Sequence, residues 1–161
     1  MILQTSDLCV NPSDEIIRLA PLTVRFLLTG EGSAGTIAAF EVFVPGAQRL
    51  MAPAHSHDHY EETIYGIDGT LTWTMNDRQI DVGPGQALCI PRGAVHRFDN
   101  NTTQDVKALC IVTPAELGPQ YFRECAEAIK AAAGGPPDLT KMAEIMRRHG
   151  LTPAPSPLPQ A

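Results

Sequence analysis

The chain has 161 residues, a formal net charge of −6, 43% hydrophobic and 19% charged residues, a composition that suits one cored domain and not an unfolded chain. The acidic balance, with Arg147-Arg148 as the sole adjacent basic pair, gives no electrostatic footprint for nucleic acid or an anionic membrane. No stretch approaches the ~20 apolar residues of a membrane span, and "MILQTSDLCVNPSDE" lacks the basic start and unbroken apolar run of a signal peptide.

Thirteen glycines and fourteen prolines favour many short elements joined by turns. Residues 1–20 are expected to form an arm that wraps onto a neighbouring subunit or an exposed sheet edge. From residue 21 to 113 the grammar is β. "LTVRFLL" and "TIAAFEVFV" are runs of β-branched and aromatic residues, separated by the flexible "TGEGSAG". "ETIYGI" and "TLTWTM" break at Asp68-Gly69, "NDR" reads as a hairpin tip before "QIDV", and "GPG" is a further turn. "QALCI", "AVHRF" and "DVKALCIVT" complete the set. Such close spacing, with no helical crossover, predicts an all-β sandwich or barrel.

Over residues 114–150 the pattern becomes helical. "QYFRECAEAIKAAA" puts Tyr121, Phe122, Cys125, Ala126 and Ile129 on one stripe. In "DLTKMAEIMRRHG", Asp138 is an N-cap, Leu139, Met142, Ile145 and Met146 are the apolar face, and Gly150 is the stop. His149, in the last turn, fits a dipole and capping role. Residues 151–161, "LTPAPSPLPQA", read as a disordered proline-rich tail. The cysteines Cys9, Cys89, Cys110 and Cys125 are scattered without a CxxC pair, which reads as reduced thiols in a cytoplasmic protein.

The segment "AHSHDHYEET", residues 54–63, concentrates imidazole and carboxylate. Residues two apart on a strand share a face, so His55 and His57 can converge on one ion. A carboxylate from the next strand would join them. Glu61 and Glu62 are both candidates by type, and as strand neighbours they point opposite ways. His96, after the turn Pro91-Arg92-Gly93, is by itself an ordinary half-buried strand histidine.

Together the two clusters resemble the cupin superfamily. Its first motif is similar to the pattern Gly46, His55, His57, Glu62, Gly69, with a longer spacer after Gly46 than is usual. Its second is matched by Gly85, Pro91, Gly93, His96 and Asn100. The resemblance implies a double-stranded β-helix (jelly-roll) barrel followed by two C-terminal α-helices, as in small single-domain, weakly quercetinase-like members. It implies His55, His57, Glu62 and His96 as metal ligands, with Glu61 facing away. Three imidazoles and one carboxylate suit one divalent transition metal per chain, whether Fe, Mn, Ni, Co or Zn.

The activity expected first is oxidation of a small organic molecule with O2, as in quercetinase-like dioxygenases, with Glu62 accepting a proton. The alternatives are metal-dependent isomerase or lyase chemistry on a sugar or keto acid, and non-catalytic binding of a small molecule. Tyr60, Arg92 and Phe98 are candidate substrate contacts, and Val106, Ala108, Cys110 and Val112 alternate inward against an exposed Lys107. His59 is a candidate for orienting a ligand or shuttling a proton from behind the metal ligands. A homodimer is expected.

Overall fold

In the computed structural model, residues 15–49 and 54–154 are described. They form twelve strands and two helices. The strands are β1 (Ile16–Leu19), β2 (Leu22–Leu28), β3 (Ala38–Val44), β4 (Gln48–Arg49), β5 (His55–His57), β6 (Glu61–Asp68), β7 (Leu71–Met75), β8 (Arg78–Val82), β9 (Ala87–Ile90), β10 (His96–Asn100), β11 (Val106–Thr113) and β12 (Leu151–Pro153). The helices α1 (Pro119–Ala131) and α2 (Leu139–Arg148) lie between β11 and β12.

The strands make two six-stranded antiparallel sheets. One runs β1-β2-β3-β11-β6-β9; the other runs β12-β5-β10-β7-β8, with β4 also pairing β10. Period-two alternation decides which side chains fill the space between them. On β3, Ala38, Phe40, Val42 and Val44 are buried, and on β11 so are Val106, Ala108, Cys110 and Val112. Lys107 points outward to Glu41 at 2.8 Å, as its place in the alternation predicts. The mixed order of strands, in which β11 sits between β3 and β6, is the jelly-roll topology expected from the sequence.

The turns follow their residues. Asn76 and Asp77 both take positive φ, +47° and +65°, the geometry a two-residue hairpin loop needs between β7 and β8. At Gly69 φ is +67°, and an added Cβ would lie 2.7 Å from the Asp105 carbonyl, so both conformation and space call for glycine there.

Both helices lay apolar faces on the barrel. Phe122 of α1 meets Phe26 and Phe40 edge-on, with ring centroids 5.7 and 5.2 Å apart, a preferred aromatic geometry. On α1 the buried residues are Tyr121, Phe122, Cys125 and Ala128. On α2, Asp138 accepts hydrogen bonds from the Thr140 and Lys141 amides, as an N-cap should. Met142, Ile145 and Met146 are buried, whereas Leu139 is 60% exposed. Leu139 is the first helical residue, at the exposed end of the stripe that faces the barrel.

Two parts of the expected layout change. Residues 151–153 are not tail: β12 pairs with β5, matching Leu151 to His57, Thr152 to Ser56 and Pro153 to His55. The end of the expected arm, Ile16–Leu19, is the edge strand β1 on β2; residues 1–14 and 155–161 lie outside the described residues. No helix among the described residues is long and apolar enough to cross a membrane.

Candidate metal centre

His55 and His57 come from β5 and His96 opens β10, directly opposite His55 in register. Their nitrogens lie within 4.8 Å of one another. Ring centroids are 5.1 Å apart for His55 and His57, and 4.6 Å from each to His96. Glu62 reaches the same point from β6 in the facing sheet. Its Oε2 is 3.8 Å from His57 Nε2 and 3.6 Å from His96 Nε2. These separations are too long for hydrogen bonds. They fall in the roughly 3–4 Å range expected of atoms that share one ion at bonds of about 2.0–2.2 Å.

The protonation states fit that use. His96 Nδ1 is 2.9 Å from the Ala94 carbonyl, so the Nδ1–H donates there and Nε2 is the ring nitrogen turned to the cluster. Burial pushes the His57 imidazole down to about 3, which keeps it neutral and able to ligate at neutral pH. For Glu62, burial opposes the charge, but the neighbouring His96, His57 and Cys110 outweigh it and hold the carboxyl below its ordinary value. The Cys110 thiol is itself raised by burial, so it stays protonated. The three imidazoles could hold a metal ion, with the Glu62 carboxylate beside two of them, and such a set leaves open positions on an octahedral ion.

The cluster forms the floor of a cavity of about 710 Å³. Its wall is apolar and aromatic, with Phe40, Val42, Trp73, Phe98 and Phe122 among the lining residues. Phe98 is therefore where strand parity with His96 puts it, 4.7 Å from Trp73 by ring centroids. Trp73, in "TLTWTM", escapes sequence reasoning, because nothing local to that strand marks which face meets the cavity.

The other expected contacts are placed elsewhere. Tyr60 has no exposed surface and does not line the cavity. Its ring stacks on His57 at 4.4 Å, so it backs a ligand instead of touching substrate. Arg92 also lies off the cavity wall; its Nε pairs with Glu61 Oε1 at 2.7 Å on the surface. That ion pair gives Glu61 the outward role its parity implied. His59 is exposed, off the cavity wall and beside Gly150, where an added Cβ would lie 3.8 Å from its Cδ2. His149 caps α2 and contacts Glu124 Oε1 at 3.3 Å.

Residues 40–112 match the family described as Cupin domain. Over those residues the barrel is a cupin domain. Among curated proteins, the chain is 24% identical over 115 residues to the tetracenomycin polyketide synthase protein TcmJ of Streptomyces glaucescens, covering 71% of this chain and 76% of that one. It is 31% identical over 71 residues to quercetin 2,3-dioxygenase of Bacillus subtilis, covering 43% of this chain but only 20% of that enzyme. Among solved structures, KdgF from a Halomonas species superposes with a TM-score of 0.54 at 13% identity, over 62% of this chain and 86% of that one. A variant of Streptomyces PAC13 with uridine also scores 0.54 at 13% identity, over 67% and 81%. At these identities the structural likeness is one of fold.

Proposed function

We propose that this cupin binds one divalent transition metal through His55, His57, His96 and Glu62 and oxidises a small organic substrate with O2. The observation that carries the reading is the three-imidazole, one-carboxylate cluster at the floor of an apolar cavity. The local sequence similarity to a quercetin dioxygenase supports the oxidative form of it. When bound, a divalent ion supplies Lewis-acid polarisation of a substrate oxygen and, for redox-active metals, a path for electrons to O2.

The chain's own groups do the rest. Glu62 is, among the described residues, the one carboxylate at the floor and accepts the proton of a substrate hydroxyl as that oxygen approaches the cluster. The neighbouring Cys110 helps to hold its carboxyl below the ordinary value. Trp73 and Phe98 hold a flat substrate against the wall and exclude water. We also propose a cytoplasmic homodimer. Exposed Ile16, Phe43, Tyr65 and Ile67 lie on strands of the first sheet and supply an apolar face for it, and the free thiols of Cys89, Cys110 and Cys125 suit a reducing compartment.

The test is O2 uptake by metal-reconstituted protein with a catechol or flavonol panel, compared with Glu62→Gln. Uptake that needs the substrate and falls at least about a hundredfold in the variant is expected. Turnover of a sugar or keto acid without O2 would replace this reading with isomerase or lyase chemistry. Ligand binding without turnover for any metal would make the protein a binding module.

A further inference from the structure

Among the described residues, the cavity has charge at two places only. At the floor is Glu62 with the imidazoles; among the other lining residues the charged ones are Arg18, Glu127 and Lys130. His57 and His96 are 1% and 2% exposed, whereas Arg18, Glu127 and Lys130 are all exposed. The cavity thus runs from a buried ligating end to a charged mouth. Arg18 sits on β1 and Lys130 in the last turn of α1. These elements pack together, tied by the ion pair of Arg123 with Glu15 at 2.6 Å just before β1.

Between the ends the described wall offers a ligand one free polar partner, the Trp73 indole N–H, which is buried without a hydrogen-bond acceptor. Phe40, Val42, Phe98, Phe122 and Leu151 are apolar. A charged or donor group held midway would therefore be desolvated without compensation, at a cost of roughly 1–3 kcal/mol or more. A ligand that fills this space carries its charged and donor groups at its two ends, with room for one acceptor at Trp73.

The mouth selects the sign of the outer group. The Arg and Lys side chains in ion pairs among the described residues are Arg25, Arg92, Arg97, Lys107, Arg123 and Arg148; Arg18 and Lys130 are not among them. Glu127, three residues before Lys130, lies on the same rim but forms an ion pair with neither cation. Two unpaired cations and one carboxylate leave the rim net positive in a chain whose net charge is −6.

We propose that the cavity takes a bipolar aromatic or aliphatic molecule, with an oxygen at the imidazole end and an anionic group, such as a carboxylate, bound at the mouth by Arg18 and Lys130. This rests on the reading of the cavity as the substrate site and narrows its substrate class. A guanidinium and an ammonium facing one anion form charge-assisted hydrogen bonds, stronger than neutral ones.

Two probes with one hydrocarbon body separate the charge from the apolar contribution: anilinonaphthalene sulfonate and its neutral counterpart phenylnaphthylamine. Trp73 is the single tryptophan and lines the cavity, so energy transfer from it to the naphthalene reports occupancy of the cavity. The full chain is expected to bind the sulfonate about tenfold more tightly than the neutral probe. In Arg18→Gln/Lys130→Gln that preference disappears while neutral-probe affinity stays within about twofold, and Glu127→Gln strengthens sulfonate binding. Unchanged sulfonate affinity in the double variant, or an equal loss for both probes, would overturn the proposal. Metal content measured on the same preparations separates the two readings. Metal retained with no sulfonate preference defeats the anion site alone; a preference that persists without metal uptake defeats the metal site alone.

Discussion

The Tyr60 hydroxyl is buried with no hydrogen-bond partner among the described residues, and burial raises its pKa, so the group stays neutral. Its ring is the useful part, stacked on His57. Tyr60→Phe keeps that stacking and removes an unsatisfied polar atom, so thermal melting should show stability unchanged or raised by up to about 1 kcal/mol. Tyr60→Ala should cost about 3–5 kcal/mol. If Tyr60→Phe abolished turnover at full metal content, Tyr60 would be a substrate contact after all. At this scale strand parity made the shared face of His55 and His57 legible, whereas His96 and the choice of Glu62 over Glu61 came from the resemblance to the cupin motifs; the fold brings the three imidazoles together. What was not legible is contact across the sheet. The Glu61–Arg92 pair joins residues 31 apart in the chain, and Tyr60 turns inward behind His57 because it follows the bend at Asp58-His59.

Strand β5, which carries two of the imidazoles, is held to the barrel through one registered pair with β10, His55 to His96. Its other neighbour, β12, supplies three. The Ala154 amide also donates to the Ala54 carbonyl at 2.7 Å, and the Thr152 hydroxyl donates to Asp58 Oδ2 at 2.8 Å. Ending the chain after Gly150 should therefore loosen the ligand strand. The expected outcome is weaker metal retention on dialysis and a melting temperature lower by several degrees, since burying Leu151 alone is worth about 1.5–3 kcal/mol. A truncated chain with unchanged retention would show that β10 suffices. The helices were readable because caps and stripes are local signals. β12 was not, because four prolines in its neighbourhood suggest an unpaired tail. Pro153 is tolerated because β12 is an edge strand, where a missing N–H costs no ladder bond on the open side.

For the whole molecule, the jelly roll was legible from the rhythm of short strands and turns, while the cavity was not, since it forms only where two sheets and two later helices meet. The same sheet that walls the cavity shows Phe43, Tyr65 and Ile67 on its exposed face. If that face joins two copies, Phe43→Glu with Tyr65→Glu should halve the mass seen by light scattering without altering metal uptake; an unchanged mass would place the dimer contact elsewhere or show the parent to be monomeric. In the proposed site, residues from both sheets meet on one ion above which a substrate sits. Elemental analysis of the reconstituted chain beside a folded His96→Ala variant is the decisive measurement. About one divalent transition metal per chain is expected in the parent and nearly none in the variant. Equal metal content in the two, or none in the parent, would contradict that site.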